Sequence, residues 1–395
     1  MSTAIEELLD GFDHVETRRE LEERLAGPEP LTVKLGLDPT APDLHLGHAV
    51  VLRKLQAFVD SGHKVVLVIG SFTARIGDPS GRNELRPPLT TAEITANMKT
   101  YTEQAGKVLD MDRVRLEYNS TWLDRLTSAD LLRLLSQVTV AQMIEREDFH
   151  ERYKAGTSIA LHEFLYPIAQ AYDSIALRAD VELGGNDQLF NLLMGRQYQR
   201  AAGQREQVCM TVPLLEGLDG SKKMSKSAGN YVGLTEPAEQ QFGKLMRIPD
   251  ESIPRYARLA AFRSQEECDR LSAALDSGKA HPMQEKKRIA QEVVALYHGA
   301  PAANAAREYF ERTVQQRELP EGNVPEIALG AARRVTDVLV ASGLAESRRA
   351  AERLVAGKGV RIDGILVEDP KASWPAGGPV TLSVGARKFV RVVPN

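Results

Sequence analysis

The chain has 395 residues, of which 43% are hydrophobic and 26% are charged, and its net charge is −4. This length exceeds one ordinary core, so two or three domains are expected, and the composition is that of a soluble globular protein. No apolar run approaches the roughly 20 residues that span a bilayer, which excludes a helical membrane protein. The acidic N-terminus lacks the basic cluster of a targeting peptide, so we expect a cytoplasmic protein.

The cysteines and the distribution of charge indicate which metals, disulfides and partners the protein could have. Cys209 and Cys268 have no Cys or His neighbours at metal-ligand spacing, so we expect reduced thiols, no disulfide and no zinc or other metal site. Residues 331–395 carry eleven basic against six acidic side chains, a net charge of +5, whereas residues 1–330 carry −9. A basic module on an acidic body indicates a local anionic partner, although a solvated basic surface is equally consistent with charge alone.

The predicted elements begin with an acidic amphipathic helix that ends at the break formed by residues 27–30. A buried strand is predicted from Leu31 to Leu37, a helix from about Leu44 to Ser61, and a second strand from Lys64 to Ile69. Strand, helix and strand in this order form a parallel βαβ unit, the building block of a doubly wound sheet. The predicted fold is therefore α/β with a Rossmann-like sheet.

The rest of the chain predicts further domains. Helices are expected from Thr90 to about Ala176, strands at Ala179 to Leu183 and Val208 to Leu215, and helices again from Pro237 to about Gln316. The predicted domains are a Rossmann-like domain at 1–230 with a helical insertion at about 120–165, an α-helical domain at 231–320, a linker at 321–332 and a small α+β module at 333–395.

The tetrapeptide His45-Leu46-Gly47-His48 lies where the first strand passes into the first helix. Nucleotides bind at this edge of an open α/β sheet, and a helix N-terminus adds positive potential there. The two histidines share one face of the first turn, and Gly47 leaves room for a flat base near the backbone. The motif could hold the phosphates and adenine of ATP, but a motif this short is more often structural.

A second motif, KMSKS at residues 223–227, lies in a loop that contains several glycines. Lys223 and Lys226 are three residues apart and can both address one polyphosphate as mobile point charges. The glycines allow the loop to close over a nucleotide and open again. Taken alone, the run would be a solvated basic loop.

The two motifs together resemble the signature pair of class I aminoacyl-tRNA synthetases, and the resemblance covers nearly the whole chain. It implies that ATP and an amino acid give an aminoacyl-adenylate and pyrophosphate, and that the aminoacyl group then passes to the 3′ end of tRNA. By this resemblance, the catalytic residues are His45, His48, Lys223 and Lys226. They would stabilise the transition state without a covalent enzyme intermediate. Mg²⁺ is expected to arrive with ATP rather than in a protein cage.

Three further elements concern the choice of amino acid: YPIAQAYD at 166–173, GGNDQ at 184–188 and IGDPSG at 76–81. On a helix, Tyr166, Gln170 and Asp173 share one face and form a polar wall that could bond both the ammonium and the phenol of tyrosine. A surface helix with three polar residues is the alternative, but its apolar neighbours indicate burial. The two glycine-containing turns follow strands and place Asp78 and Asp187 at the ligand edge of the sheet.

In this order the three elements resemble those of tyrosyl-tRNA synthetases. The resemblance assigns to L-tyrosine the side chains of Asp78, Tyr166, Gln170, Asp173 and Gln188, with Asp173 at the phenol hydroxyl and Asp78, Tyr166 and Gln170 at the ammonium. It assigns to ATP the residues Asp38, Thr40, Gly47, Gly185, Asp187, Leu215 and Ser227.

Lys34 marks a departure from many bacterial members, which have a phenol-contacting tyrosine at that position. The chain resembles a second bacterial subgroup that has such a sequence together with the HLGH and KMSKS spellings. Lys34 is therefore a candidate for the second partner of the phenol. The insertion at about 120–165 is too short for an editing domain, and the family suggests that it forms a homodimer interface.

The C-terminal module resembles the S4 RNA-binding domain. Arg348, Arg349 and Arg353 are predicted on one helix, and Lys358 lies in a Gly-Lys-Gly turn that leads into a strand. Such a charge pattern suits phosphate contacts with structured RNA, which implies tRNA(Tyr) as the partner. The helices of 231–320 would then face the anticodon.

Three alternatives remain at this point. A tryptophanyl-tRNA synthetase shares the fold and chemistry but should lack the YPxxQxxD wall and the S4-like module. An RNA-binding protein that has lost activity should have lost the phosphate-binding histidines and lysines. A small-molecule nucleotidyltransferase with an HxGH motif would not need the helical and basic C-terminal half.

Overall fold

The computed structural model describes residues 2–39, 42–79, 90–315, 326–328, 334–375, 378–385 and 388–393. The chain packs as two compact units, Met1–Pro237 with Lys244–Ile289, and Ala238–Gly243 with Ala290–Asn395. The domain boundaries expected from the sequence stay predictions. None of the described helices combines the length and the apolar character needed to cross a membrane.

The elements before residue 213 are α1 (Ser2–Leu9), β1 (His14–Glu16), α2 (Arg18–Leu25), β2 (Thr32–Leu37), α3 (Leu46–Asp60), β3 (Lys64–Ile69), α4 (Thr73–Ile76), α5 (Thr91–Ala105), β4 (Arg115–Tyr118), α6 (Ser120–Leu123), α7 (Ser128–Leu135), α8 (Val140–Ile144), α9 (Glu147–Lys154), α10 (Leu165–Leu177), β5 (Val181–Gly185), α11 (Leu189–Ala201) and β6 (Val208–Val212). The later elements are α12 (Ala238–Leu245), α13 (Ile253–Leu259), α14 (Gln265–Asp276), α15 (Pro282–His298), α16 (Ala300–Phe310), β7 (Glu326–Ala328), α17 (Val335–Ala341), α18 (Arg348–Ala356), β8 (Val360–Ile362), β9 (Ile365–Leu366), β10 (Val380–Val384) and β11 (Lys388–Val393).

The first unit is built on a six-stranded sheet with the order β1-β6-β5-β2-β3-β4. Every neighbouring pair is parallel except β1 with β6. The central strands are nearly continuous apolar runs, as in β3, because helices cover both faces of a parallel sheet. The predicted Rossmann-like α/β fold is confirmed, and the βαβ unit β2-α3-β3 brings the carboxyl ends of β2 and β3 into register at Leu37 and Ile69.

Helix α3 carries the first motif at its N-terminus. His45 is the N-cap with an extended backbone, and the buried residues of the helix, such as Leu52, Leu55 and Val59, recur at helical spacing against the sheet. Gly62, in the left-handed region at φ +82°, follows the C-terminal end. The sheet edge and the helix start therefore place residues 45–48 beside the carboxyl end of β2.

Two strands were missed by the sequence patterns. β1 interrupts the single helix predicted before residue 27, and β4 lies inside the region predicted as helical from Thr90 to Ala176. Both are short strands at the edges of the sheet, and β4 has no fully buried residue, so neither carries the apolar run that marks a central strand. Helices α6 to α9 lie within residues 120–165, and the assignment of this segment as an insertion stays a prediction.

The second unit ends in a five-stranded sheet with the order β7-β11-β10-β8-β9. Helices α17 and α18 supply Leu339 and Val355 to a core that includes Leu382 and Val390 from the strands. This module confirms the predicted α+β fold, with α18 capped by the Ser347 side chain. Glu326–Ala328, within the stretch predicted as a linker, pair with β11, and the remainder of 321–332 lies outside the described residues.

Candidate active site

A cavity of about 780 Å³ opens at the carboxyl ends of the parallel strands of the first unit. Both signature motifs line it, although about 175 residues separate them along the chain. Fifteen of the residues assigned to catalysis, ATP or tyrosine also line it, namely Asp38, His45, Gly47, His48, Asp78, Tyr166, Gln170, Asp173, Gly185, Asp187, Gln188, Leu215, Lys223, Lys226 and Ser227. Thr40 lies outside the described residues. One cleft therefore joins the segments that the sequence motifs indicated.

The two histidines stack at the N-terminus of α3 with ring centroids 3.9 Å apart. The backbone N–H of His45 donates to Nδ1 of His48 over 3.2 Å, which leaves Nε2 of a neutral His48 as the protonated nitrogen. Burial, reinforced by Lys226 and Lys223, lowers the pKa of His48 to about 3, and burial also holds the pKa of His45 well below its usual range. Both rings are thus neutral at physiological pH, and Nδ1 of His45 is buried without a hydrogen-bond partner.

The two lysines of the loop lie against carboxylates. Lys223 Nζ is 2.5 Å from Asp187 Oδ2, and Lys226 Nζ is 3.7 Å from Asp43 Oδ2. The Lys226 ammonium is buried without a hydrogen bond, and burial lowers its pKa. A cleft lined by two ammonium groups and by a buried imidazole nitrogen without a hydrogen bond suits an anionic ligand rich in acceptor oxygens.

Asp219 and Asn230 hold the base of the KMSKS loop. Asn230 Nδ2 donates to Asp219 over 2.7 Å, and the backbone N–H of Ser225 donates to Asn230 Oδ1 over 2.8 Å. Backbone N–H groups of Lys222 and Ser221 donate to Asp219 and lower its pKa to about 2. Sequence reasoning missed these two residues, because each is an ordinary loop residue until its partner is known.

Three carboxylates gather at the amino-acid end of the cleft. Asp38 accepts hydrogen bonds from Thr73 (2.7 Å) and Tyr166 (2.9 Å), and burial raises its pKa to about 7, with Asp78 and Asp173 adding like-charge repulsion. Asp78 accepts from Gln188 over 3.0 Å and pairs with Arg146. The excess of carboxylate groups favours a cationic ligand group at this end.

Asp173, the predicted partner of the phenol, is buried and held from behind. Trp122 Nε1 donates to one carboxylate oxygen over 2.7 Å and Asn119 Nδ2 to the other over 3.3 Å. Burial raises the pKa of Asp173 to about 6. Trp122 and Asn119 were not singled out by the sequence, since they lie in the helical region that followed the unrecognised strand β4.

Lys34 does not line the cavity. Its ammonium lies within the wall, where it pairs with Glu182 at 3.2 Å and donates to the carbonyl oxygen of Gln170 over 3.1 Å. A direct contact with a phenol stays a prediction, and the hydrogen-bonding capacity of Lys34 is largely used by these two partners. Glu182 was not considered from the sequence, although a charged residue in a buried strand is a recognisable anomaly.

The four basic residues assigned to RNA lie in the C-terminal module. Arg348, Arg349 and Arg353 are exposed on α18, and Arg348 donates to Asp337 over 2.7 Å. Lys358, exposed in the turn after the helix, lies 4.0 Å from Glu368.

Cys209 and Cys268 are buried free thiols. Within the described part of the chain, no group of three or more His, Cys, Asp or Glu side chains is arranged to hold a metal ion.

Comparison with known proteins agrees with this architecture. The family model described as "tRNA synthetases class I (W and Y)" matches residues 27–315, and the S4 domain model matches residues 333–372. The chain belongs to the class I tRNA synthetases of this tryptophan and tyrosine family.

The similar curated proteins lie on the tyrosine side of the family. The chain is 50% identical over 376 residues to the tyrosine–tRNA ligase of Thermotoga maritima, covering 95% of this chain and 94% of the relative. It is 46% identical over 394 residues to that of Shewanella oneidensis, covering 99% and 98%. The fold resembles that of tyrosyl-tRNA synthetase complexed with L-tyrosine from Archaeoglobus fulgidus, with a TM-score of 0.63, 23% identity, and coverage of 78% of this chain and 99% of that chain.

Proposed function

We propose that the chain is a tyrosine–tRNA ligase: it activates L-tyrosine with ATP to tyrosyl-adenylate and pyrophosphate, then transfers the tyrosyl group to the 3′ end of tRNA(Tyr). The observation that carries this proposal is the single cleft in which the HLGH and KMSKS segments meet a pocket ending at a buried carboxylate, Asp173. The similarity to tyrosine–tRNA ligases, which extends over nearly the whole chain, supports the same assignment.

In the first step, a carboxylate oxygen of tyrosine attacks the α-phosphorus of ATP, and the bond to the β-phosphate oxygen breaks as pyrophosphate leaves. Such a displacement depends on positioning and on stabilisation of the growing charge. The neutral histidines would donate N–H groups to phosphate oxygens, and Lys223 and Lys226 would leave their carboxylate partners to meet the triphosphate. Mg²⁺ that enters with ATP would neutralise part of the phosphate charge.

On the amino-acid side, Asp78, Tyr166 and Gln170 would bind the ammonium, while Asp173 accepts a hydrogen bond from the phenol. Gln188, which donates to Asp78, would keep that carboxylate in place. On the nucleotide side, Gly185 and Asp187 would bind the ribose, and Gly47 and Leu215 would border the adenine. A Cβ at residue 47 would come within 3.0 Å of the His45 ring, so glycine keeps this approach open.

The S4-like module and the helices between residues 231 and 320 would bind tRNA(Tyr). The exposed arginines of α18 suit contacts with RNA phosphates, whereas the assignment of the helices to the anticodon follows from the proposed domain order. A reaction that uses tRNA belongs with protein synthesis, so we place the protein in the cytoplasm.

We also propose a homodimer through the helical insertion. The insertion exposes large apolar side chains, with relative exposures of 68% for Leu132, Val140 and Tyr153 and 83% for Leu161. Exposed apolar groups concentrated in one segment mark an interaction surface. Light scattering should give a dimer mass that Leu132→Asp with Val140→Asp reduces to that of a monomer; a monomeric wild type would contradict the proposal.

The function is tested by ATP–pyrophosphate exchange with each amino acid, followed by aminoacylation of tRNA(Tyr). Exchange should depend on tyrosine, and phenylalanine should be a poor substrate. Exchange that depends on tryptophan alone would overturn the proposal in favour of the other branch of the family.

A further inference from the structure

Lys34 and Glu182 are directly opposed on adjacent parallel strands. They are Cα partners in the register of β2 and β5, and each is only 1% exposed. Two residues further along the same face, Gly36 and Gly184 line the cavity. The ion pair therefore lies directly behind the amino-acid end of the cleft, between the sheet and helix α10.

Glu182 is saturated with donors from the surrounding elements. Its carboxylate accepts from Gln170 Nε2 (3.0 Å), from the Ser174 hydroxyl (3.2 Å) and from Gln207 Nε2, besides the Lys34 ammonium. A buried carboxylate with four donors has one stable orientation. The Glu182 carboxylate can therefore fix the orientation of the side chains that donate to it.

The contact with Glu182 decides which way the Gln170 amide points. Since the amide nitrogen donates to the carboxylate, the amide oxygen is left as the acceptor. An acceptor is what an ammonium requires, because a flipped amide would present its own N–H groups to the ligand. Lys34 fixes the same residue from its backbone side through the Gln170 carbonyl.

Asp173 lies on α10 between Gln170 and Ser174, the two residues of that helix whose side chains donate to Glu182. The charged groups around the Asp173 carboxylate are Lys34 on β2, Glu182 on β5 and Asp38 after β2, and its direct donors are the neutral side chains of Trp122 and Asn119. Lys34 lowers the pKa of Asp173 and Glu182 raises it, against a larger upward effect of burial. The two members of the pair thus act on Asp173 in opposite directions.

We propose that the buried Lys34–Glu182 ion pair is the positioning device of the amino-acid pocket: Glu182 sets the Gln170 amide for the ammonium, and Lys34 supplies a buried positive charge for Asp173, the acceptor of the phenol. The inference rests on the proposed function. A well-packed apolar pair would hold the strands together equally well, since a buried ion pair adds little net stability. Its placement behind both polar ends of the pocket instead links the pair to substrate selection.

The test is the ratio of kcat/KM for tyrosine to that for phenylalanine in ATP–pyrophosphate exchange, measured from pH 5 to 9. Direct effects on ammonium binding, including those of Asp38, are common to both amino acids and cancel in the ratio, and the influence of Asp38 on Asp173 is present in the wild type and in every variant. Only the ionisation of the phenol's acceptor remains, so the ratio should fall on the acid side with a midpoint set by Asp173. Tyrosine-dependent exchange by the wild type tests the proposed function separately from the variants.

Lys34→Met should move this midpoint to higher pH, and Glu182→Gln should move it to lower pH. Arg152→Met, which breaks a comparably buried ion pair with Glu163 (2.5 Å), should leave the midpoint unchanged. Opposite shifts from the two members of one pair cannot arise from a loss of stability alone.

The double variant Lys34→Met with Glu182→Met leaves no unpaired buried charge, so it keeps the test available if a single variant does not fold. Its midpoint should return close to that of the wild type, while KM rises about tenfold for both amino acids because the Gln170 amide is no longer held. Midpoints that coincide in the wild type and both single variants would overturn the inference, as would a double variant with unchanged KM values. Either result would leave the proposed function intact.

Discussion

The Tyr166 hydroxyl donates a hydrogen bond of 2.9 Å to Asp38, whose second oxygen accepts from Thr73 over 2.7 Å. This hydrogen bond joins helix α10 to the segment after β2. Tyr166 is proposed to bind the ammonium of tyrosine, so the hydrogen bond couples this side chain to the segment that carries Asp38. Substitutions on one side are therefore expected to affect the other.

The first prediction concerns the pH dependence of stability. Asp38 is raised from an unfolded pKa of 3.8 to about 7 in the folded protein, mainly by burial. The folded state binds the proton more tightly, so this group lowers the free energy of unfolding as pH rises from about 4 to 7. Asp38→Asn should reduce the difference in unfolding free energy between pH 5 and pH 8 by about 2 kcal/mol. Urea unfolding of both proteins at the two pH values measures it, and identical differences would contradict the assigned cause.

Asp173→Asn is expected to damage recognition of the phenol. The substituted amide presents N–H groups where Trp122 and Asn119 already donate, and it removes the charged acceptor. Loss of one hydrogen bond to a charged group should lower the tyrosine-to-phenylalanine ratio of kcat/KM by about 10- to 100-fold. The exposed carboxylate variant Asp60→Asn serves as the control. An unchanged ratio would remove Asp173 from the phenol end of the pocket.

Much of the fold could be predicted because the central strands and α3 carry strong local signals. The predicted strand at Lys64 to Ile69 matches β3 residue for residue, because a short apolar run between a polar loop and a turn is typical of a buried strand in a parallel sheet. β1 and β4 were missed because an edge strand needs no such run. Its position depends on partners that are distant in sequence, such as Met210 opposite Val15.

The candidate site likewise contains residues that the sequence could predict and residues that it could not. The HLGH and KMSKS segments were recognisable as local spellings, and both lie in the cleft. The residues that hold them, such as Asn230 under the loop and Trp122 behind Asp173, have no signature of their own. Lys34 shows the limit most clearly: its position in the sequence suggested a ligand contact, whereas its partner Glu182 on another strand places it inside the wall.

Lys226→Ala should slow adenylate formation without weakening tyrosine binding. The Lys226 ammonium nitrogen is buried without a hydrogen bond and lines the same cleft as His45 and His48, so its charge would act mainly on the transition state. Loss of one such group should reduce the rate of tyrosyl-adenylate formation by about 100-fold or more. Single-turnover kinetics and equilibrium tyrosine binding measure the two quantities separately. Lys279→Ala is the remote control, and an unaltered rate in Lys226→Ala would exclude the proposed role.

Asn230→Ala should release the loop that carries the lysines. Its amide connects Asp219 to the Ser225 backbone, and no other side chain of the described loop makes both hydrogen bonds. We expect kcat to fall about tenfold and KM for ATP to rise. KM for tyrosine should change little, because the residues of the amino-acid pocket do not contact Asn230. Steady-state exchange with each substrate varied in turn checks this pattern. An equal loss for both substrates would instead indicate a general destabilisation.

The exposed arginines of α18 predict a separable effect on tRNA. Arg349→Glu combined with Arg353→Glu reverses charge on one helix of the C-terminal module, while the residues proposed for adenylate formation lie in the first unit. Aminoacylation should require more tRNA, and the slope of log affinity against log salt should become shallower by about 0.7–0.9 for each phosphate that is no longer neutralised. Tyrosine-dependent exchange without tRNA should proceed as in the charge-matched control, Arg19→Glu with Arg270→Glu. A tRNA affinity and salt slope equal to those of the control would show that α18 does not bind RNA phosphates.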